Sequence, residues 1–535
     1  MWVVTILRVS VITIFFLGLA GCGGDSPSEE VGVLRIGNGG EPRDLDPHTI
    51  TGTLEMRIIF GLMEGLLTHH PTDDDIPTGG VAERWENSED GLVWRFYLRE
   101  NARWSNGDPV TADDFVYSWR RVLNPKLGNE YAHWFYMIEG AEAYNRGEVQ
   151  DAETIGVFAE SPTVFKVVLR EPVANFEKML LNNSFLPVHQ ATIEAHGGPG
   201  VRQSGWTRPE NYVGNGAFRL VEWKAESVIR VERNPHYWDA ASVRMDAIEF
   251  FPISDENTAL RAFESGQLHL IQSVPVNLRS HYAKISPEKI RFDPLAGAYF
   301  YRANTTRPPM DDVKVRKALS LTINRKQIID HLLKGNERIA SGYTPAGMDG
   351  YIPPQRETYN PELGRQLLAE AGYPGGVGFP EVELLYNTSD NHRKIAEAIQ
   401  TMWRSELGIE ITLTNQEWKV YLDTAKNMQY DIARAGVVGN AFPYNFLRAF
   451  FSYSPNNYTG FNDPEYDRLL KEARRTLDKE ERHALLLEAE QRLMDAQPVI
   501  PIYWYTNVYL IDPRVRNWHP KLNNQRPLKY VYLAD

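Results

Sequence analysis

The chain has 535 residues, too many for one hydrophobic core, so two or three domains are expected. Its 57 basic residues stand against 70 acidic ones, and the net charge of -13 argues against nucleic acid as the main partner. A single cysteine, Cys22, excludes an internal disulfide, a cysteine-based metal site and a catalytic thiol elsewhere in the chain.

The first residues stand apart from the fold. Val9 to Leu19 is apolar except for Ser10, Thr13 and Gly18, and is too short to span a bilayer comfortably. It ends in Leu19-Ala20-Gly21-Cys22, a signal-peptide core followed by small residues. The run resembles the bacterial lipobox, in which the cysteine after the cut is lipidated and becomes the mature N-terminus. The competing reading is an ordinary signal peptide that happens to contain Cys22. On the first reading residues 1–21 are removed, and 22–32 form a flexible, lipid-anchored tether.

Val33 to Gly37 then reads as a strand, broken by Asn38-Gly39-Gly40-Glu41-Pro42. Asp44-Leu45-Asp46-Pro47-His48 fits turn chemistry better than a metal cluster. His69-His70 reads as a surface turn. Asp73-Asp74-Asp75 lacks the glycine and distal glutamate of a calcium loop and reads as a solvated turn. Trp94–Leu98 and Thr163–Leu169 alternate as strands. Between them Thr111 caps a helix whose Phe115, Trp119, Val122 and Leu123 share one face. Strands at Phe218–Trp223 and Val228–Arg233, a helix from Asp255 to Glu264, a strand around Leu268–Ile271 and a helix capped by Asp311-Asp312 follow.

After Pro353 the pattern becomes β-α-β. A helix over Pro361–Ala371 precedes a strand at Glu381–Tyr386. A helix then starts at Ser389-Asp390, with Ile395, Ile399, Met402 and Trp403 at helical spacing, and a strand follows at Ile409–Leu413. This order predicts a mostly parallel sheet. Asp463-Pro464 starts a helix with cap then proline, Lys479–Ala496 is an amphipathic helix, and Val499–Tyr505 is a buried strand. Between these lies Tyr430 to Phe446, a short strand running into a loop. Gly436 and Gly439 there leave the backbone open to close approach. Arg434 offers a fork of donors suited to a carboxylate, with an internal ion pair as the competing role.

No G-x-S-x-G elbow, phosphate loop or H-E-x-x-H pattern appears, so neither a nucleophilic enzyme nor a cofactor is implied. A carboxylate pair of glycosidase type stays open at this level.

Several long segments carry a resemblance. They are Trp104 to Arg120, Asn215 to Phe218, Glu232 to Asp239, Asp312 to Leu319, Leu385 to Asp390 and Gln416 to Lys419. With them the chain resembles the oligopeptide-binding proteins of bacterial ABC importers, family 5 of the extracytoplasmic solute-binding proteins, from about Val33 to the end. The resemblance implies an α/β, two-lobed, three-domain, periplasmic-binding-protein-like fold with mixed sheets and a hinge. Lobe one would combine 33–53, 176–295 and 508–535, with 54–175 inserted as a small domain, and lobe two would be 296–507. A peptide would pair with a strand edge between the lobes, which close over it.

The same resemblance implies a site. Gly436, Val437 and Val438 would hydrogen-bond the peptide backbone, Glu41 would reach in from the other lobe, and Trp418 would line the cleft. Arg434 and His392 would supply positive groups for a carboxylate. Asn440 departs from the family pattern. It occupies the position of an aspartate that takes the peptide's α-amino group, while Val437 and Ala441 replace aromatic residues. The implied partners are an oligopeptide, the permease subunits of an ABC importer and the membrane through lipid on Cys22. The protein would act as an extracytoplasmic monomer with no cofactor and no metal. The alternatives are a receptor for a modified or N-blocked peptide or other solute, and, third, an enzyme on this scaffold.

Overall fold

The computed structural model describes residues 32–334, 337–439 and 442–534. The expectations placed on residues 1–31, including Cys22, and on Asn440 and Ala441 lie outside the described residues.

The local readings of the sequence are largely realised, because short-range chemistry sets most element ends. Thr111 and Asp114 form a capping box, with the Thr111 amide donating to the Asp114 carboxylate at 2.8 Å, and the helix runs Ala112–Leu123. Asp255, Asp312, Asp463 and Asp478 each accept from backbone amides of the helix they start. Gly408 ends the Asp390–Leu407 helix in the left-handed conformation.

The fold is two-lobed. Its backbone is an eleven-stranded sheet running Ile411–Gln416, Val382–Asn387, Ile432–Val438, Ile290–Ala303, Val499–Ile511, Leu270–Ile271, Val33–Gly37, Ala247–Phe251, Val228–Arg233 and Phe218–Lys224, with Arg338–Ile339 on the flank of Val499–Ile511. The expected parallel sheet is present only in part. Val382–Asn387 runs parallel to both neighbours, but Ile432–Val438 is antiparallel to Ile290–Ala303, so the sheet is mixed. A separate four-stranded antiparallel sheet, from Ala82–Asn87 to Val157–Ser161, packs under the helix Ala112–Leu123. Trp119 stands edge-on to Phe165 there at 4.9 Å.

Two long strands join the halves. Val499–Ile511 is 13 residues, longer than its apolar run suggests, and Ile290–Ala303, at 14 residues, has no counterpart in the sequence reading. Their pairing breaks between Pro294 and Ala298. Pro294 lacks an N–H, and Ala296 donates instead to the Leu522 carbonyl at 2.7 Å. The strand survives a proline because its far ends are fixed by different partners, Leu510 at Ile290 and Val499 at Arg302.

The turn expected at Asp44–His48 forms, the Thr49 amide donating to the Asp46 carbonyl at 3.1 Å, though in a buried setting, while two other polar clusters differ from the expectation of surface or solvated turns. Asp46 is buried and takes both terminal nitrogens of Arg121, at 3.0 and 2.6 Å, beside His48. His69 is buried rather than on a surface turn. Asp74 is not left to solvent either: it accepts from the Leu522 amide at 2.7 Å and pairs with Lys521 at 3.2 Å.

In the second lobe Glu490 is fully buried, accepting from the Thr344 amide and the Tyr351 hydroxyl at 2.8 and 2.7 Å. Burial outweighs these bonds and pushes its carboxyl up to about 7. An acid whose folded pKa is raised lends full stability below its unfolded pKa and loses it as pH rises through the folded one. The protein is therefore expected to lose roughly 1–3 kcal/mol of stability between pH 5 and pH 8 through this group. Glu490→Gln should flatten that slope in denaturant melts, and an unchanged slope would clear Glu490 of the role.

Candidate functional site

The site is the unpaired half of one strand. Ile432–Val438 pairs with Ile290–Ala303 along its whole length, but on its other side only Ile432 and Ala433 meet a neighbour, Val382–Asn387. From Arg434 to Val438 that second edge is open.

The hydrogen-bond alternation decides which groups point out. Gly439 donates to the Ala296 carbonyl at 3.0 Å, so residue 439 faces the partner strand. Antiparallel pairing alternates, so Val437 and Ala435 face it too, while Gly436 and Val438 turn their N–H and C=O to the open edge. Of the three residues expected to bond a peptide backbone, the geometry offers Gly436 and Val438. Val437 is corrected, its backbone groups being directed to the partner strand. Val438 is 56% exposed, unusual for a β-branched residue in a strand. The carbonyl of Arg434 also faces outward and is already taken by the Tyr421 hydroxyl.

Gly436 is required by its neighbours. A Cβ at this position would lie 2.7 Å from the Tyr505 hydroxyl and 3.0 Å from the Arg434 guanidinium. Its absence lets the Arg434 side chain lie over the strand, where it donates to Tyr505 Oη at 3.0 Å and Asn387 Oδ1 at 3.3 Å, with its centre 4.6 Å from the Tyr299 ring. Arg434 Nε is buried without a partner. No carboxylate pairs with Arg434 among the described residues, so the internal ion pair weighed from the sequence is absent. His392 sits beside this group, its Nδ1 3.3 Å from the Tyr299 hydroxyl. Burial first, and the Arg434 charge second, push the His392 ring down to about 4. The imidazole is therefore neutral at pH 7, which corrects the expectation of a second positive group there.

Trp418 is 52% exposed and stacks on Tyr421 at 5.8 Å, next to the Arg434 end of the edge. Glu41 has both carboxylate oxygens engaged: they accept from the Trp223 indole at 2.7 Å and the Glu226 amide at 3.0 Å. Those bonds join it to the turn after Phe218–Lys224. Thr51 and Thr53 are among the residues from the early part of the chain that reach the cleft.

Beyond Val438 the cleft opens into a cavity of about 390 Å³ between the lobes. Val438, Gly439, Phe442, Asn445 and Arg448 form one wall; Thr51, Phe60, His69, His133 and Trp134 form the other. A second cavity of about 130 Å³ adjoins it through His133, Trp134 and Arg448. Sequence reasoning missed this wall. His133, Trp134 and Arg448 have no spacing relation, and only the packing of the small domain against the second lobe joins them.

The lobes also touch directly. Lys178 meets Asp349 at 2.6 Å, and Glu171 takes Arg474 and Arg475, the latter at 2.7 Å. Asp349 sits at a positive φ of 51° between Gly347 and Gly350, a turn that aims its carboxylate across the gap.

An open strand edge facing a cleft between two lobes is the geometry of a protein that binds an extended ligand. Comparison with known proteins agrees. Residues 77–458 match the model of the bacterial extracellular solute-binding proteins, family 5. The chain is 36% identical over 508 residues to the periplasmic oligopeptide-binding protein OppA of Salmonella typhimurium, covering 93% of this chain and 91% of that protein. It is 36% identical over 501 residues to the periplasmic murein peptide-binding protein MppA of Escherichia coli, covering 92% and 90%. Among solved structures, the unliganded open form of MppA superposes with a TM-score of 0.81 at 35% identity, over 94% of this chain and 98% of that one. With the family profile matched over most of its length, the chain belongs to family 5 of the bacterial extracellular solute-binding proteins.

Proposed function

We propose that this protein is a lipid-anchored extracytoplasmic binding protein that captures oligopeptides between its lobes and delivers them to an ABC import permease. The observation that carries the peptide reading is the open edge at Gly436 and Val438, two backbone pairing positions on one side of a strand lining a cleft. The relatives named for oligopeptides and a murein peptide support it. Binding, not turnover, is the role assigned, and the protein acts as a monomer.

The domain division follows the same reading. Lobe one is 33–53, 176–295 and 508–535, with 54–175 inserted, and lobe two is 296–507. The chain crosses between them near the pairing break of Ile290–Ala303 with Val499–Ile511. Closure about these crossings buries the ligand against both lobes. A tetrapeptide pool titrated by calorimetry, followed by small-angle scattering at saturation, is expected to give binding and a smaller radius of gyration. Absence of heat and of compaction with every peptide tested would remove the peptide reading.

The anchor rests on Leu19-Ala20-Gly21-Cys22. No helix among the described residues is long and apolar enough to cross a membrane. Cys22→Ser is expected to move the protein from the membrane fraction to the soluble fraction. A variant that stays on membranes after a salt wash would rule lipidation out.

A second reading of the ligand rests on Asn440, a neutral amide where the family pattern has an aspartate. A peptide with a blocked or modified amino end suits it, because a buried ammonium without a counter-charge is costly.

A further inference from the structure

The open edge has a guanidinium at each end. Arg434 lies at the start, half-buried beside Tyr299, Tyr505 and Asn387. At the other end, Val438 and Gly439 share their cavity with Arg448. Neither arginine is paired with a carboxylate among the described residues.

Arg448 is held by neutral groups. Its guanidinium centre sits 5.3 Å from the Trp134 ring, and its Nη2 donates to His133 Nε2 at 3.3 Å. His133 Nδ1 lies 3.1 Å from the Glu130 carbonyl, so Nδ1 carries the hydrogen and Nε2 is left to accept. Burial, and then the charge of Arg448, push His133 down to about 4, so the ring brings no charge at neutral pH. The carboxylates on the cavity walls are engaged elsewhere: Asp74 with Lys521, and Asp349 with Lys178. Glu171, near by, holds Arg474 and Arg475.

A guanidinium that loses its water when the lobes close, with no counter-charge, is unfavourable. A neutral peptide brings one carboxylate, its C-terminus, which can satisfy one of the two arginines. The other remains uncompensated under the bound ligand. A ligand with a negative group at each end satisfies both, with Trp134 and His133 as the wall beside the second group. The edge from Arg434 to Val438 spans about 13 Å, four steps of roughly 3.3 Å each, which sets the separation at about four residues.

We propose that the ligand of this cleft is an acidic peptide of about four residues, with a second carboxylate received by Arg448 at the Val438 end of the edge. This rests on the peptide reading of the cleft. The second carboxylate comes either from an acidic side chain or from a dicarboxylic acyl group on the amino end.

The test is a calorimetric scan of tetraalanine and of its variants carrying Glu or Gln at each position in turn. An N-succinyl and an N-acetyl tetrapeptide form a second arm. The scan uses the wild type, Arg448→Gln and Arg448→Lys, with matched thermal melts. In the wild type, Glu should exceed Gln at one position, or succinyl exceed acetyl, by roughly 10- to 150-fold, the range of one charge-assisted hydrogen bond. Which arm responds identifies the source of the carboxylate. The preference should vanish in Arg448→Gln and survive in part in Arg448→Lys. Equal binding of Glu and Gln at every position together with equal binding of the two acyl forms would overturn the proposal, while tetraalanine binding would leave the peptide reading intact. A preference that persists in Arg448→Gln would overturn it as well. If the wild type binds no peptide of the set, the peptide reading falls and this inference with it. Should Arg448→Gln fail to fold, the wild-type ratios and the Lys variant still decide.

Discussion

Asp349→Asn is expected to weaken peptide binding by roughly 100-fold and to leave the protein more open in solution. Asp349 gathers basic groups from both sides of the gap: the Lys178 ammonium of the first lobe at 2.6 Å, and Lys479, Arg482 and the His483 ring nitrogen of the second at 3.2, 3.6 and 3.4 Å. Both Lys178 and Asp349 are buried where the lobes meet. Removing one member of a buried pair costs about 3–5 kcal/mol, because the other is left as an uncompensated charge. In an open form both groups regain water, so the cost falls on closure rather than on folding, and closure is what holds the ligand. Even the lower figure, about 3 kcal/mol, is over 100-fold in affinity.

The pH dependence separates this effect from others. Burial opposes ionisation of Asp349, but hydrogen bonds from His483 and Lys178 and the charges of Lys178 and Lys479 outweigh it and hold the carboxyl well below the usual range. A depressed carboxylate contributes fully above its unfolded pKa and loses that contribution only as pH falls through the folded one. The wild-type contact should therefore be constant from pH 5 to pH 8. Calorimetry and small-angle scattering on Asp349→Asn give the check. Wild-type affinity with an unchanged radius of gyration would assign the pair to surface decoration.

Arg434→Ala is the second large effect. It is expected to weaken peptides with a free C-terminal carboxylate by roughly 10- to 150-fold while changing their C-terminal amides much less. The guanidinium is half-buried and its contacts are neutral, two tyrosines and one asparagine, with Nε left unfilled. A carboxylate is the partner that its planar fork suits best. Losing the arginine also frees the Tyr505 hydroxyl and the face of Tyr299, a structural cost that both ligand forms share. The ratio of carboxylate to amide affinity is therefore the readout, not either constant alone. Equal losses for the two forms would give Arg434 to the architecture of the strand.

What is legible in the sequence and what is not divide along the range of the forces involved. Helix starts at Asp255, Asp312, Asp463 and Asp478 were legible because a cap acts within three residues of itself. The strand Ile290–Ala303 was not, because Pro294 and Gly297 break any local strand pattern and pairing to two distant segments overrides it. The bonding and charge of the site residues have the same origin. Glu41 looks like a free acid in a loop until Trp223 and Glu226, far along the chain, fold onto it. His392 looks like a cation until the fold partly buries it and brings Arg434 beside it.

The family, the order of most elements and the segment that holds the open edge are legible in the sequence, since Arg434 and Gly436 sit in one short run. Which backbone groups of that run are free is settled by tertiary pairing, because the hydrogen-bond phase of a strand is set by its partner, here Gly439 on Ala296. The tertiary structure also decided the charge of the cleft. Arg448, His133 and Trp134 become one wall through the meeting of two lobes, and whether a charge is left unpaired depends on every group brought near it.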